Sequence, residues 1–161
     1  MDIFNFAILM ENDIETFYKE QAERNKDNSL KNVFIMLARE EENHAKILKA
    51  NADKLTLPLE DSNILEESHF IFKNIDPIKS DYKDLPSQLD LYYYALEKEE
   101  ESVSLYKDLY SKSTTEEGKT VFSYLIKQEE THCIILEELV KLVQRPEAWV
   151  ESPEFGERED Y

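Results

Sequence analysis

Apolar residues recur at three- and four-residue steps through most of the chain, the spacing that lines one face of a helix. Phe6, Ala7, Met10, Ile14, Phe17 and Tyr18 follow it and predict a first helix over about residues 3–24. Asp27, Asn28 and Ser29 break the pattern and offer an N-cap for a second helix over about 30–54, with Val33, Phe34, Leu37, Ile47 and Leu48 on its apolar face. Pro58 opens an irregular stretch that lasts to Pro86. A third helix is predicted from there to about 112, begun by the capping-box pattern Ser87-x-x-Asp90. Ser113, Thr114 and Thr115 turn the chain, and Thr114-x-x-Glu117 is expected to cap a fourth helix that Pro146 stops near 144. An acidic tail over 145–161 remains, carrying Trp149, Phe155 and Tyr161.

The two short turns imply antiparallel hairpins. The connection over about 55–85 is long for a compact domain. A helix of ~26 residues spans roughly 39 Å, whereas ~30 residues of extended chain reach about 100 Å. The connection can therefore return along the bundle and start helix three parallel to helix two. The predicted fold is all-α: a four-helix bundle over 1–144 made of two hairpins joined by a long crossover.

The hairpins are copies. A shift of 88 residues superposes Ala7 on Ala95, Glu11 on Glu99, Tyr18 on Tyr106 and Val33-Phe34 on Val121-Phe122, without a gap. It also takes Leu37 to Leu125, Glu41-Glu42 to Glu129-Glu130, His44 to His132 and Ile47-Leu48 to Ile135-Leu136. Such a duplication implies a pseudo-twofold axis, and a site on that axis is built from paired residues.

Composition narrows the function. Two glycines in 161 residues are too few for the glycine-rich phosphate loops of nucleotide-binding folds. A net charge of -17 repels nucleic acid and anionic lipid, so neither nucleic acid nor a membrane is an expected partner. The apolar runs are too short to span a bilayer, and Met1-Asp2-Ile3-Phe4 lacks the positive start of a secretory signal. Cys133 is the single cysteine, which excludes an intrachain disulfide and any multi-cysteine metal site within this chain. A cytoplasmic protein is expected.

The chemistry lies in polar residues on apolar faces. Glu11 shares a face with Ala7 and Tyr18, and Glu99 repeats this with Ala95 and Tyr106. Glu41 and His44 lie about 60° apart on the helix, between Leu37 and Leu48 on the buried side; Glu129 and His132 repeat them between Leu125 and Leu136. Glu42 and Glu130 point to solvent. Four buried carboxylates need compensation, and no Lys or Arg stands at a matching interior position. Two divalent cations would balance them, with two neutral imidazoles completing the shells. Mixed carboxylate and imidazole ligation suits iron or manganese, and zinc is compatible. A lone Glu-x-x-His in so acidic a chain is usually a solvated helix turn. Here two of three histidines carry it at one register, each with a matched Glu on a partner helix.

With these residues the chain resembles the ferritin-like superfamily, most closely rubrerythrin-type proteins, over about 3–144. The resemblance rests on Glu11…Tyr18, Glu41-Glu42-Asn43-His44-Ala45-Lys46, Glu99…Tyr106 and Glu129-Glu130-Thr131-His132. Arg145-Pro146-Glu147-Ala148-Trp149-Val150-Glu151 is similar to tails of short, single-domain relatives. It implies a non-haem centre of two iron ions, hydrogen peroxide reduction or ferrous-iron oxidation by dioxygen, and a homodimer. Glu41 and Glu129 would bridge the metals, and Glu11, Glu99, His44 and His132 would be terminal ligands. Longer relatives carry a four-cysteine rubredoxin-like domain that this chain cannot build, so a separate rubredoxin-like electron donor is implied. They also carry an extra carboxylate three residues after the helix-three Glu; this chain has Ser102 there, and Ile14 at the duplicate position.

Other residues read more plainly. Tyr18 and Tyr106 are either donors to the carboxylates or core tyrosines. Cys133 duplicates Ala45, which marks a small packing residue. His69 lies in the crossover without a carboxylate at ligand spacing, and of Tyr92-Tyr93-Tyr94 one is expected inside. Glu97 to Glu101 is a solvated run except for Glu99. Trp149 and Phe155 pack back on the bundle or on a neighbouring subunit. The four core glutamates are all expected to have raised pKa values without metal. The functional reading is two-electron redox chemistry, with iron storage without turnover as the rival and a metal-free interaction module as the third class.

Overall fold

The computed structural model describes residues 2–76, 82 and 84–151, with side chains to 144. It is all-helical, consistent with a ferritin-like bundle: α1 Ile3–Arg24, α2 Leu30–Ala52, α3 Ile64–Lys73, α4 Leu89–Lys112 and α5 Glu116–Glu151. Among the described residues there is no strand.

The caps differ from the pattern in instructive ways. Asp2 Oδ1 accepts from the Asn5 N–H at 2.9 Å and starts α1. Ser29 makes no side-chain cap on α2; its hydroxyl bonds the Tyr82 hydroxyl at 2.8 Å, and Asn28 Oδ1 takes the Leu30 N–H instead. The Ser87 box does not form either. Leu85–Gln88 is a 3-10 turn, so the Ser87 hydroxyl donates back to the Asp84 carbonyl at 2.7 Å, and α4 begins at Leu89. On α5 the cap is Thr115, one residue beyond Thr114: its Oγ1 accepts the Gly118 N–H at 3.0 Å. A Cβ at Gly118 would meet the Ser113 hydroxyl, which would have to rotate away.

Two boundaries are corrected. The crossover is not irregular throughout, because α3 forms within it. Ile64, Ser68 and Phe72, four apart, are buried, and α3 packs on α5 and α2. Pro146 does not stop α5, which continues to Glu151. Proline there removes one i→i−4 hydrogen bond, a loss a long helix can carry. The Trp149 side chain and residues 152–161, with Phe155 and Tyr161, lie outside the described residues.

The chain directions follow from cross-bundle contacts. Tyr18 of α1 reaches Glu99 of α4, while Tyr106 reaches back to Glu11, so α1 and α4 are antiparallel. His44 of α2 meets Gln128 of α5, and His132 meets Glu40, so these two are antiparallel as well. With each hairpin antiparallel, α2 and α4 run parallel, the arrangement that requires the long crossover. Two apolar clusters bracket the middle of the bundle. One includes Tyr18, Phe34, Leu37, Tyr92 and Leu139; the other includes Ala7, Leu48, Tyr106, Phe122 and Leu125. Of the predicted α1 face, Ala7, Ile14 and Tyr18 are buried, but Phe6 lies outside, 47% exposed.

Candidate metal centre

Between the two apolar clusters lie Glu11 on α1, Glu41 and His44 on α2, Glu99 on α4, and Glu129 and His132 on α5. All six are fully buried. They fall into two groups of four: Glu11, Glu41, His44 and Glu129, and Glu41, Glu99, Glu129 and His132. In each group one ligand atom per residue lies within 4.8 Å of the others. Glu41 and Glu129 belong to both groups, and the shift of 88 residues exchanges one group for the other. The structure thus brings together the three carboxylate and imidazole pairs that the duplication singled out: Glu11 with Glu99, Glu41 with Glu129 and His44 with His132.

Both imidazoles turn Nδ1 inward. His44 Nδ1 is 3.2 Å from Glu41, 3.5 Å from Glu129 and 3.7 Å from Glu11. His132 Nδ1 is 3.1 Å from Glu129, 3.2 Å from Glu41 and 3.0 Å from Glu99. The two rings face each other at 5.6 Å. Tyr18 donates to Glu99 Oε2 at 2.6 Å, and Tyr106 donates to Glu11 Oε2. Each tyrosine therefore serves the glutamate of the other hairpin, not the one on its own helix face. Both are also core residues, stacked on Phe34 and Phe122, which are duplicates of one another.

The protonation pattern of these side chains corrects the expectation of four raised carboxyls. Burial, then the charges of the neighbouring glutamates, raises Glu41 well above its ordinary range and pushes Glu129 up to about 8. Burial acts on Glu11 too, but the neighbouring His44 imidazole, its Nδ1 3.7 Å away, outweighs it and holds Glu11 at about 2. The charge and hydrogen bond of His132 likewise lower Glu99 against burial. Burial would discharge both imidazoles, yet the surrounding carboxylates raise His44 and His132 well above 6.5. The shifts thus favour the charged form of both imidazoles and of Glu11 and Glu99, and the protonated form of the shared glutamates. The histidines supply the compensation that no Lys or Arg offers. Burial and the adjacent carboxylates also raise Tyr18 and Tyr106, which stay protonated donors.

The donor set fits divalent cations. Glu99 Oε1 is buried without a hydrogen-bond partner, and Glu11 Oε1 and Glu129 Oε2 meet only His44 Nδ1, at 3.7 and 3.5 Å. A buried carboxylate oxygen without a donor is costly, and a cation would satisfy it. Each tyrosine occupies Oε2 of its glutamate and leaves Oε1 without a donor at hydrogen-bonding distance. Among the described residues no lysine or arginine ion pair reaches these four carboxylates.

The remaining residues lie as follows. Glu42, Glu130, Glu97, Glu100 and Glu101 are exposed, and of the tyrosine run Tyr92 is buried while Tyr93 and Tyr94 are not. His69 is exposed and meets Glu138 at 3.2 Å, away from the centre. Burial and then Glu99 push the Cys133 thiol up to about 12, which suits a packing residue, not a thiolate. Ser102 is fully buried and its hydroxyl has no partner. Sequence reasoning missed Glu40 and Gln128, whose side chains meet the outer nitrogens of His132 and His44. Extending the duplication by one residue would have paired them.

Fold and site together define a ferritin-like helical bundle with a buried carboxylate and histidine cluster suited to two metals. The family model for rubrerythrin matches residues 2–140, and the chain belongs to that ferritin-like di-iron carboxylate family. No curated protein and no solved structure gives a significant match. No helix among the described residues is long and apolar enough to cross a membrane.

Proposed function

We propose that this protein holds two iron ions between Glu11, Glu41, His44, Glu99, Glu129 and His132 and reduces hydrogen peroxide with electrons from a separate donor in the cytoplasm. The observation that carries this reading is the pair of four-residue groups sharing Glu41 and Glu129. Glu41 and Glu129 would serve both metal positions, with Glu11 and His44 completing one and Glu99 and His132 the other. Bound ferrous ions would supply Lewis acidity and the two electrons that, with two protons taken up from solvent, convert one peroxide to two waters. The protein's part is positional. Tyr18 and Tyr106 fix one oxygen each of Glu99 and Glu11, while the aromatic and aliphatic residues above and below exclude bulk water. Replacing either tyrosine by phenylalanine is expected to weaken metal binding by ~10-fold or more, measured by competition with a chelator of known affinity.

A single cysteine cannot build a cysteine-ligated iron site within this sequence to refill the centre. Cys133 is alone, and its raised pKa disfavours redox use. Pre-reduced protein is therefore expected to consume about one peroxide per dimetal site and then stop, and a rubredoxin-like protein with its reductase restarts it. Sustained turnover with NADH as the only addition would contradict this. Ferrous-iron oxidation by dioxygen, with iron held and not cycled, is the second reading. Ser102 favours it, since no carboxylate stands one turn beyond Glu99 to follow a change of oxidation state. Parallel stopped-flow oxidation by peroxide and by dioxygen separates the two: faster reaction with peroxide supports reduction of peroxide, and faster reaction with dioxygen supports iron oxidation.

A further inference from the structure

The two halves of the centre are copies in their carboxylates and imidazoles but not in what holds the far side of each ring. His132 turns Nδ1 to the carboxylates and donates from Nε2 to Glu40 Oε1 at 2.8 Å. His44 is placed alike, yet its Nε2 meets Gln128 Oε1 at 3.3 Å. Residues 40 and 128 are the same position of the repeat. One ring leans on a carboxylate at short range and the other on a neutral amide near the limit of hydrogen bonding. Glu40 is itself anchored. The Ser62 hydroxyl donates to its Oε2 and accepts the Ile64 N–H at 3.1 Å. That anchor comes from the crossover, which has no copy in the second half.

We propose that Glu40 is a positioning residue that makes the two metal positions unequal, so that the one served by His132 binds a divalent cation first and more tightly than the one served by His44. This rests on the dimetal reading above. A hydrogen bond from the outer nitrogen fixes the ring's orientation and its tautomer, leaving the Nδ1 lone pair for the metal, and a carboxylate acceptor makes the ring a stronger donor. A charged acceptor bonds roughly twice as strongly as a neutral one. Gln128 orients His44 in the same way with less force. The His44 position is accordingly the one that fills last and loses its metal first, and the two ions are not interchangeable.

The test is a cobalt(II) titration of the full chain carrying nitrogen-15 histidine, with the ring resonances of the three histidines followed by NMR. In the unaltered protein the first equivalent is expected to shift the His132 ring and the second the His44 ring. Glu40→Gln should weaken the first site by ~10–100-fold, so that the two rings respond together. The exchange Glu40→Gln with Gln128→Glu, which leaves the net charge unchanged, should reverse the order. A merely structural role for Glu40 would weaken both sites and leave the order intact. His44 responding first in the unaltered protein, or an unchanged order in the exchanged one, overturns the inference while the dimetal reading stands. Failure of the unaltered chain to bind two cobalt ions overturns both.

Discussion

Replacing Glu41 and Glu129 together by alanine is expected to leave the chain unable to hold a metal pair. Each belongs to both four-residue groups, so its loss removes a ligand from both positions at once. Loss of Glu11 or Glu99 would take a ligand from one position only. Ferrous or cobalt(II) binding by the double variant should fall from two per chain to none that survives gel filtration. The isosteric pair Glu41→Gln with Glu129→Gln separates this from misfolding. It keeps the core volume and removes two carboxyls that are raised by burial, so its helical content should match the unaltered protein. Full binding of two metals by either double variant would sink the assignment of these residues as shared ligands.

A second large effect concerns pH. Glu41 and Glu129 have folded values above their unfolded ones, so their contribution to stability is complete below the usual carboxylate range. It is lost as pH rises through the folded values, about 8 for Glu129. His44 and His132 are raised too, and their contribution declines as pH climbs above about 6.5. Glu11 and Glu99 are lowered; their contribution is present above the usual carboxylate range and lost as pH falls, toward about 2 for Glu11. Chelator-treated protein should therefore melt highest in mildly acidic solution and lower at pH 8. Metal should reverse the neutral-side loss. Four groups hold protons that two divalent cations would displace: Glu41, Glu129, His44 and His132. Loading near neutral pH should thus release several protons per chain into a weakly buffered indicator solution. Coincident melting curves with and without metal at pH 8, or loading without acid release, would contradict this balance of charge.

The six central residues were legible in the sequence because the duplication carried the argument. Glu11 with Glu99, Glu41 with Glu129 and His44 with His132 recur at one register, and a helix register fixes which face a side chain takes. The crossing of partners was not legible. Tyr18 lies on the face of Glu11 but donates to Glu99, a choice set by how the hairpins meet. Glu40 and Gln128 were missed for the same reason, since their contacts run between α2 and α5. The split of the glutamates into two raised and two lowered depends on distances to the imidazoles, which spacing along a helix does not give. Local errors came from competing backbone geometry. Ser87 fits a capping box but falls in a 3-10 turn, and α3 is a helix of only ten residues whose buried face includes the polar Ser68. Pro146 reads as a stop, yet α5 passes through it.

The central claim is that Glu41 and Glu129 lie between two metal ions. Anomalous diffraction at the iron edge, from crystals grown anaerobically with ferrous iron, tests it most directly. The expected map has two peaks about 3.5–4 Å apart, both in contact with Glu41 and Glu129, one beside Glu11 and His44 and the other beside Glu99 and His132. A single central peak, or peaks confined to the exposed acidic surface, would contradict it.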